Sequence, residues 1–171
     1  MSRIAGSSTD VALLGMRRQW VPVASTLAAA LLDALPIVAT TPLVPDFAFL
    51  VLLAWRLLRP EIWPAWAALP LGLFNDLVSG HPLGQSMAVW TTLFLLLEMA
   101  DSRTGWRDYW IDWLFAALAI LAHSFAGWFV ARQMGSRTEF AVLFPQICLS
   151  IFAYPLVARL VVGLDRWRLA R

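Results

Sequence analysis

Five acidic residues lie inside or beside long apolar runs: Asp33, Asp46, Asp76, Glu98 and Asp112. A charge held at mid-bilayer costs at least about 2.5 kcal/mol on the mildest insertion scale, so each of these carboxylates should have a partner or a task. Asp46, Asp76 and, more loosely, Asp33 lean toward the same end of their runs and could line one cavity or groove there. The densest polar cluster is Phe74-Asn75-Asp76-Leu77-Val78-Ser79-Gly80-His81-Pro82-Leu83-Gly84, which joins two apolar runs. Gly80 can take a positive φ at the exit of one helix, Gly84 allows a second tight turn and close approach, and Pro82 suits the first turn of the next helix. Asp76 has two readings that do not exclude each other. It can cap the following helix, whose N-terminal end attracts a carboxylate, or it can bind a partner or ligand. Asp46, Asn75, Asp76, Ser79, Gly80, Pro82 and Gly84 form the expected functional neighbourhood.

Catalytic chemistry finds little support. His123 falls near the middle of an apolar run with Ser124 beside it, and adjacent residues on a helix do not face each other. Packing or an interhelical hydrogen bond is the expected use of His123. A nucleophile with an oriented base, or a carboxylate pair at catalytic separation, is not selected by any spacing here. A metal site of His81, Asp76 and His123 would need His123 to lie beside the other two, whereas its place in the run sets it about half a membrane away. The chain has neither GxxxxGK[ST] nor GxGxxG, so any energised process would draw on another subunit. No cofactor is expected.

The elements that must position these residues follow from composition. The 171 residues are 60% hydrophobic and 14% charged, with a mean hydropathy of +0.70, which is a membrane composition. A hydrocarbon core about 30 Å thick takes about 20 helical residues. Six runs come close: residues 20–40, 47–58, 62–78, 82–100, 110–130 and 140–164. The second is short and the third carries Pro64 and Pro70, so together they could form one tilted hairpin. All 13 basic residues are Arg. With six spans, one side holds Arg3, Arg17, Arg18, Arg56, Arg59, Arg103, Arg107, Arg159, Arg166, Arg168 and Arg171, and the other only Arg132 and Arg137. That asymmetry puts both termini in the cytoplasm, with the basic residues orienting helices rather than binding nucleic acid.

The expectation is an all-α, polytopic membrane protein of six transmembrane helices in one compact bundle. Its segments are a polar, disordered N-terminus at 1–19, a transmembrane domain at 20–164 and a basic tail at 165–171. No cleavable signal peptide is apparent, because the first apolar run is long enough to span and is read as retained. Of the ten Trp residues, Trp20, Trp63, Trp66, Trp106, Trp110, Trp113 and Trp167 fall near run ends, where an interfacial aromatic belt is expected. Small residues recur at Gly72, Asp76 and Gly80, at Ala116, Ala119, Ala126 and Gly127, and at Ala24, Ala28, Ala29 and Ala30, and should allow close helix packing. Cys148 is the single cysteine, so no internal disulfide can form.

Two stretches resemble one family. Pro45-Asp46-Phe47, followed by Leu52-Leu53-Ala54-Trp55-Arg56-Leu57-Leu58-Arg59-Pro60-Glu61, is similar to the second-helix signature of the rod shape-determining protein MreD. Gly72 through Gly84 resembles that family's central G-x-x-x-D-x-x-S-G-x-P-L-G motif, and Tyr154-Pro155 before a basic tail is also similar. The resemblance implies a multi-pass protein of the bacterial inner membrane that serves cell elongation without being an enzyme. It implies MreC as partner and, through it, MreB, RodA and the class B transpeptidase that build lateral peptidoglycan. The bundle of this family is also said to resemble the substrate-binding subunits of energy-coupling-factor vitamin transporters. A solute-binding transporter subunit is therefore the alternative expectation, with a tight ligand and an ATPase partner.

Overall fold

A computed structural model describes residues 8–33, 44–101 and 109–169, with side chains over 20–33, 44–100 and 109–169. The expected end of the first span with Pro36 and Thr40, the residues Arg3, Arg103, Trp106 and Arg107, and Arg171 lie outside the described residues. Among the described residues six α-helices follow one another: α1 Ser8–Asp33, α2 Phe47–Leu58, α3 Ala68–Ser79, α4 Gln85–Asp101, α5 Tyr109–Gln133 and α6 Phe144–Leu169. Short 3-10 turns at Ala65–Ala67 and Phe140–Leu143 lead into α3 and α6, and there is no strand among the described residues. The first helix begins at Ser8, inside the 1–19 stretch whose composition reads as disordered. Ser8, Thr9 and Asp10 are good residues for a helix start, and the Val11-Ala12-Leu13-Leu14 run behind them has helix formers enough to continue it.

α5 and α6 are long and apolar enough to cross a membrane, as the composition requires. α2 is not: twelve residues rise about 18 Å, well short of a hydrocarbon core. It survives because protein surrounds it. Ala48, Leu52 and Trp55 are 0–2% exposed, and Phe49, Leu53 and Leu57 are buried with them. α1, α5 and α6 pack on α2, while α3 pairs chiefly with α4. The outward faces of α5 and α6 carry Leu114, Leu118, Phe125, Phe152, Leu156 and Leu160, all exposed, as side chains meeting lipid would be.

Proline placement also shapes the packing. Pro155 inside α6 has no amide for the carbonyl of Ile151, one turn earlier. Trp113 of α5 donates its indole N–H to that carbonyl at 3.3 Å, so the break in one helix becomes a tie to its neighbour. Small residues are used internally. Ala29, Ala30, Ala116 and Ala119 are buried, and a Cβ built on Gly72 would lie 2.6 Å from the backbone of Met87. α3 therefore meets the start of α4 at a distance only glycine allows. Trp20, Trp66, Trp110 and Trp167 are exposed where the belt was expected. Trp63 departs from it: at 6% exposure it is packed inward, near Phe94 with ring centroids 6.2 Å apart.

Candidate functional site

The polar knot is a pair of capped helix ends. α3 stops at Gly80, whose φ of 69° is the left-handed conformation that glycine adopts without strain. The chain then turns through Pro82, Leu83 and Gly84, with the Gln85 amide donating to the Pro82 carbonyl at 3.0 Å and Gly84 at φ 94°. Pro82 thus precedes α4 and does not occupy its first turn as expected. The turn that closes on Gln85 needs a positive φ at its third residue, which sets Gly84 there and pushes the helix start past Pro82. Asp76 reaches across from α3 and accepts the amides of Gly84 at 2.9 Å and Ser86 at 2.8 Å. Those amides have no intrahelical acceptor, so Asp76 caps α4. Asn75 donates to Ser86 Oγ at 3.2 Å and accepts from Ser79 Oγ at 3.4 Å. Asn75 and Asp76 are each 1% exposed, so neither offers its side chain to the surface.

A second capped end lies at the start of α2. Because α2 is too short to reach water at both ends, its free amides need acceptors from protein. Asp33, the last residue of α1, accepts the amides of Phe47 at 3.2 Å and Ala48 at 2.9 Å. Asp46 at the N-cap accepts that of Phe49 at 2.8 Å. Two carboxylates thus serve the three amides of one helix turn, where the helix dipole also favours negative charge. Asp46 extends the network to α5 through its other oxygen, which lies 3.0 Å from Nε2 of His123. The His123 ring stacks on Phe49 with centroids 4.2 Å apart. Gln146 of α6 donates to the Val44 carbonyl at 2.7 Å and fixes the chain as it enters α2.

These ends border a cavity of about 670 Å³, lined among others by Asp33, Asp46, Ser79, His81, His123 and Gln146. Asp33 and Asp46 share it as the sequence led one to expect. Asp76 does not line it, because its oxygens turn toward the start of α4. His81 and His123 do share it, which corrects the half-membrane separation expected from their places in the runs. α5 continues to Gln133, and the short α2 brings Asp46 down to the level of His123. No group of three metal-ligating side chains occurs among the described residues. Ser79, Ser124 and Ser150 also line the cavity, and no hydrogen bond joins any of these side chains to His123.

At the other end of the bundle lies a third polar centre, which the sequence pattern does not single out. Asp165 of α6 is 5% exposed and accepts from Arg59 at 3.0 and 3.2 Å and from Arg168 at 2.7 Å. The Asp165 hydrogen bond holds the Arg59 guanidinium above its ordinary range. Arg168 lies over the Trp55 ring at 5.3 Å and Arg56 over Phe94 at 5.7 Å. Asp165 reads as part of a basic tail. The signal that could have marked it is its place one helical turn before Arg168 and one residue after the apolar run ends.

The family model described as rod shape-determining protein MreD matches residues 16–166. No curated protein and no solved structure matches the chain.

Proposed function

Because the chain belongs to the MreD family of rod shape-determining proteins, we propose that it is a non-catalytic scaffold of the bacterial cell-elongation machinery. In this reading it is a multi-pass protein of the inner membrane, with six spans in one bundle over 20–164 and both termini cytoplasmic. It docks the membrane anchor of MreC and helps position RodA and the class B transpeptidase, with MreB reached through MreC. The observation that carries the reading is the family match along almost the whole chain. The imbalance of eleven Arg to two across the expected spans supports the orientation.

The geometry gives the motif residues a role consistent with a scaffold. Asp46, Asn75, Asp76, Ser79, Gly80 and Gly84 fix helix ends and turns, and Pro82 opens the turn before α4. A partner helix would then meet exposed apolar side chains beside the knot, such as Leu77 and Leu83, at 64% and 72% exposure. The test is mild crosslinking in the native cell followed by affinity capture of this protein. Recovery of MreC with wall synthases is expected. Recovery instead of cytoplasmic ATPases with a coupling subunit would overturn the scaffold in favour of a transporter subunit.

A further inference from the structure

One side of α6 is uncovered and changes character along its length. Phe152, Leu156 and Leu160 recur every four residues and are 75%, 63% and 63% exposed, which makes an apolar lane along the helix. Where the lane ends, the same side carries Arg159 and Arg166, both exposed and two turns apart. Gly163 lies between them, about one turn from each, and a Cβ built there meets nothing within 4 Å. The space between the two arginines is therefore open. Among the described residues, the other arginine side chains at this end are engaged within the protein. Arg59 meets Asp165 at 3.0 Å and Glu61 at 3.5 Å, Arg168 meets Asp165 at 2.7 Å, and Arg56 lies over Phe94. Asp165 is buried on the opposite side of α6. Arg159 and Arg166 have neither an acidic nor an aromatic partner among the described residues.

We propose that this face of α6 holds an anionic phospholipid, with an acyl chain along the apolar lane and the phosphate between Arg159 and Arg166. Guanidinium groups match phosphate oxygens with paired N–H donors, and arginine stems lie along apolar surface while the charged ends reach headgroup level. Basic pockets at helix ends are a recurring means of holding such headgroups. A zwitterionic lipid would bring its own cation up to two guanidiniums that no carboxylate offsets. A second copy of this chain, docked by the same face about a two-fold axis, would oppose arginine to arginine. Trp167, 53% exposed and one turn beyond Gly163, stands where an interfacial aromatic meets the headgroup layer. The inference goes beyond the scaffold reading and does not depend on it, and its test needs no protein partner.

The experiment places the full chain in nanodiscs of equal phosphatidylglycerol and phosphatidylcholine and counts the lipid retained on the released protein by native mass spectrometry. Phosphatidylglycerol should be retained about tenfold or more over phosphatidylcholine, since each interfacial arginine favours an anionic lipid about fivefold. Arg159→Gln combined with Arg166→Gln should lower that ratio at least about fivefold, with the melting temperature within about 2 °C of wild type because both side chains are exposed. Gly163→Phe leaves every charge in place, fills the open space between the arginines and should lower the ratio too. Arg132→Gln combined with Arg137→Gln removes the same charge from the opposite end of the bundle and should leave the ratio unchanged. No preference for phosphatidylglycerol overturns the proposal. So does an undiminished ratio in both α6 variants, or an equal loss in the Arg132 and Arg137 pair, which would reduce the effect to net charge. A lipid-free mass of two chains would give the face to a second copy and overturn it as well.

Discussion

Replacing Asp76 by alanine tests whether the central motif acts by holding backbone or by touching a partner. In the folded protein Asp76 is 1% exposed and its two oxygens take the amides of Gly84 and Ser86. Neither amide makes another hydrogen bond; Ser86 is buried and Gly84 half-buried. A buried donor left unsatisfied costs about 1–3 kcal/mol, so Asp76→Ala should destabilise the protein by about 2–6 kcal/mol. That is a large share of the roughly 5–15 kcal/mol that holds a typical domain together. At about 2–4 °C per kcal/mol for a chain of this size, the melting temperature should fall by some 5–20 °C. Asp76→Asn keeps one acceptor oxygen but turns an NH₂ toward the second amide, so it should lose about half as much or more. The assay is thermal unfolding of detergent-purified protein, followed by tryptophan fluorescence, beside cell shape in a strain carrying only the variant. Rod shape should be lost while the protein still fractionates with the membrane. A melting temperature within about 2 °C of wild type would refute the capping argument. If such a protein still failed to support rods, the carboxylate would have to act on a partner. Normal rods would show that the motif aspartate is dispensable for shape.

Further substitutions probe the other contacts. Gly72→Ala sets a methyl group 2.6 Å from the Met87 backbone and should cost about 1–3 kcal/mol by overpacking. Gly163→Ala, with open space around it, should be neutral or slightly stabilising in the same melt. His123→Phe keeps a ring stacked on Phe49 but loses the bond to Asp46, and should cost about 1.5–3 kcal/mol. Combined with Asp46→Asn it should be less than additive, and strict additivity would mean the two side chains do not interact. Asp165→Ala removes the carboxylate paired with the Arg168 guanidinium, only 7% exposed, and should cost about 3–5 kcal/mol by chemical unfolding. Arg59→Ala, whose side chain is 39% exposed, should cost less than about 1 kcal/mol, and an equal loss from both would sink the assignment of Asp165 as the buried hub.

The helices were legible where hydropathy changes sharply and less so where a turn decides the boundary. Residues 47–58 were read as a run and form α2 at those limits, because Pro45-Asp46 before it and Arg59-Pro60 behind it leave little choice. α4 starts at Gln85 rather than at Pro82, since the positive φ of Gly84 and the Asp76 cap fix the start and hydropathy sees neither. The capping role of Asp76 was readable because donor and acceptor lie within ten residues of each other. Asp46 with His123, 77 residues apart, and Arg59 with Asp165, 106 apart, were not. Those pairs depend on which helices become neighbours, and a single sequence carries no record of that order.

The shortness of α2 links these observations. A helix of about 18 Å inside a layer of about 30 Å needs acceptors from protein for the amides at its end. Carboxylates in apolar runs are then what the backbone requires, and Asp46 and Asp33 meet that need. Each amide could have been met by a neutral acceptor such as Asn or Ser, which cap helices about as well without a charge. Asp46 does more than a neutral cap could, because one oxygen takes the Phe49 amide while the other meets His123 of α5, so the cap of α2 also fixes α5 against it. Asp33 takes the Phe47 and Ala48 amides on its two oxygens and so ties the end of α1 to the start of α2, which an acceptor with a single oxygen could not do as fully.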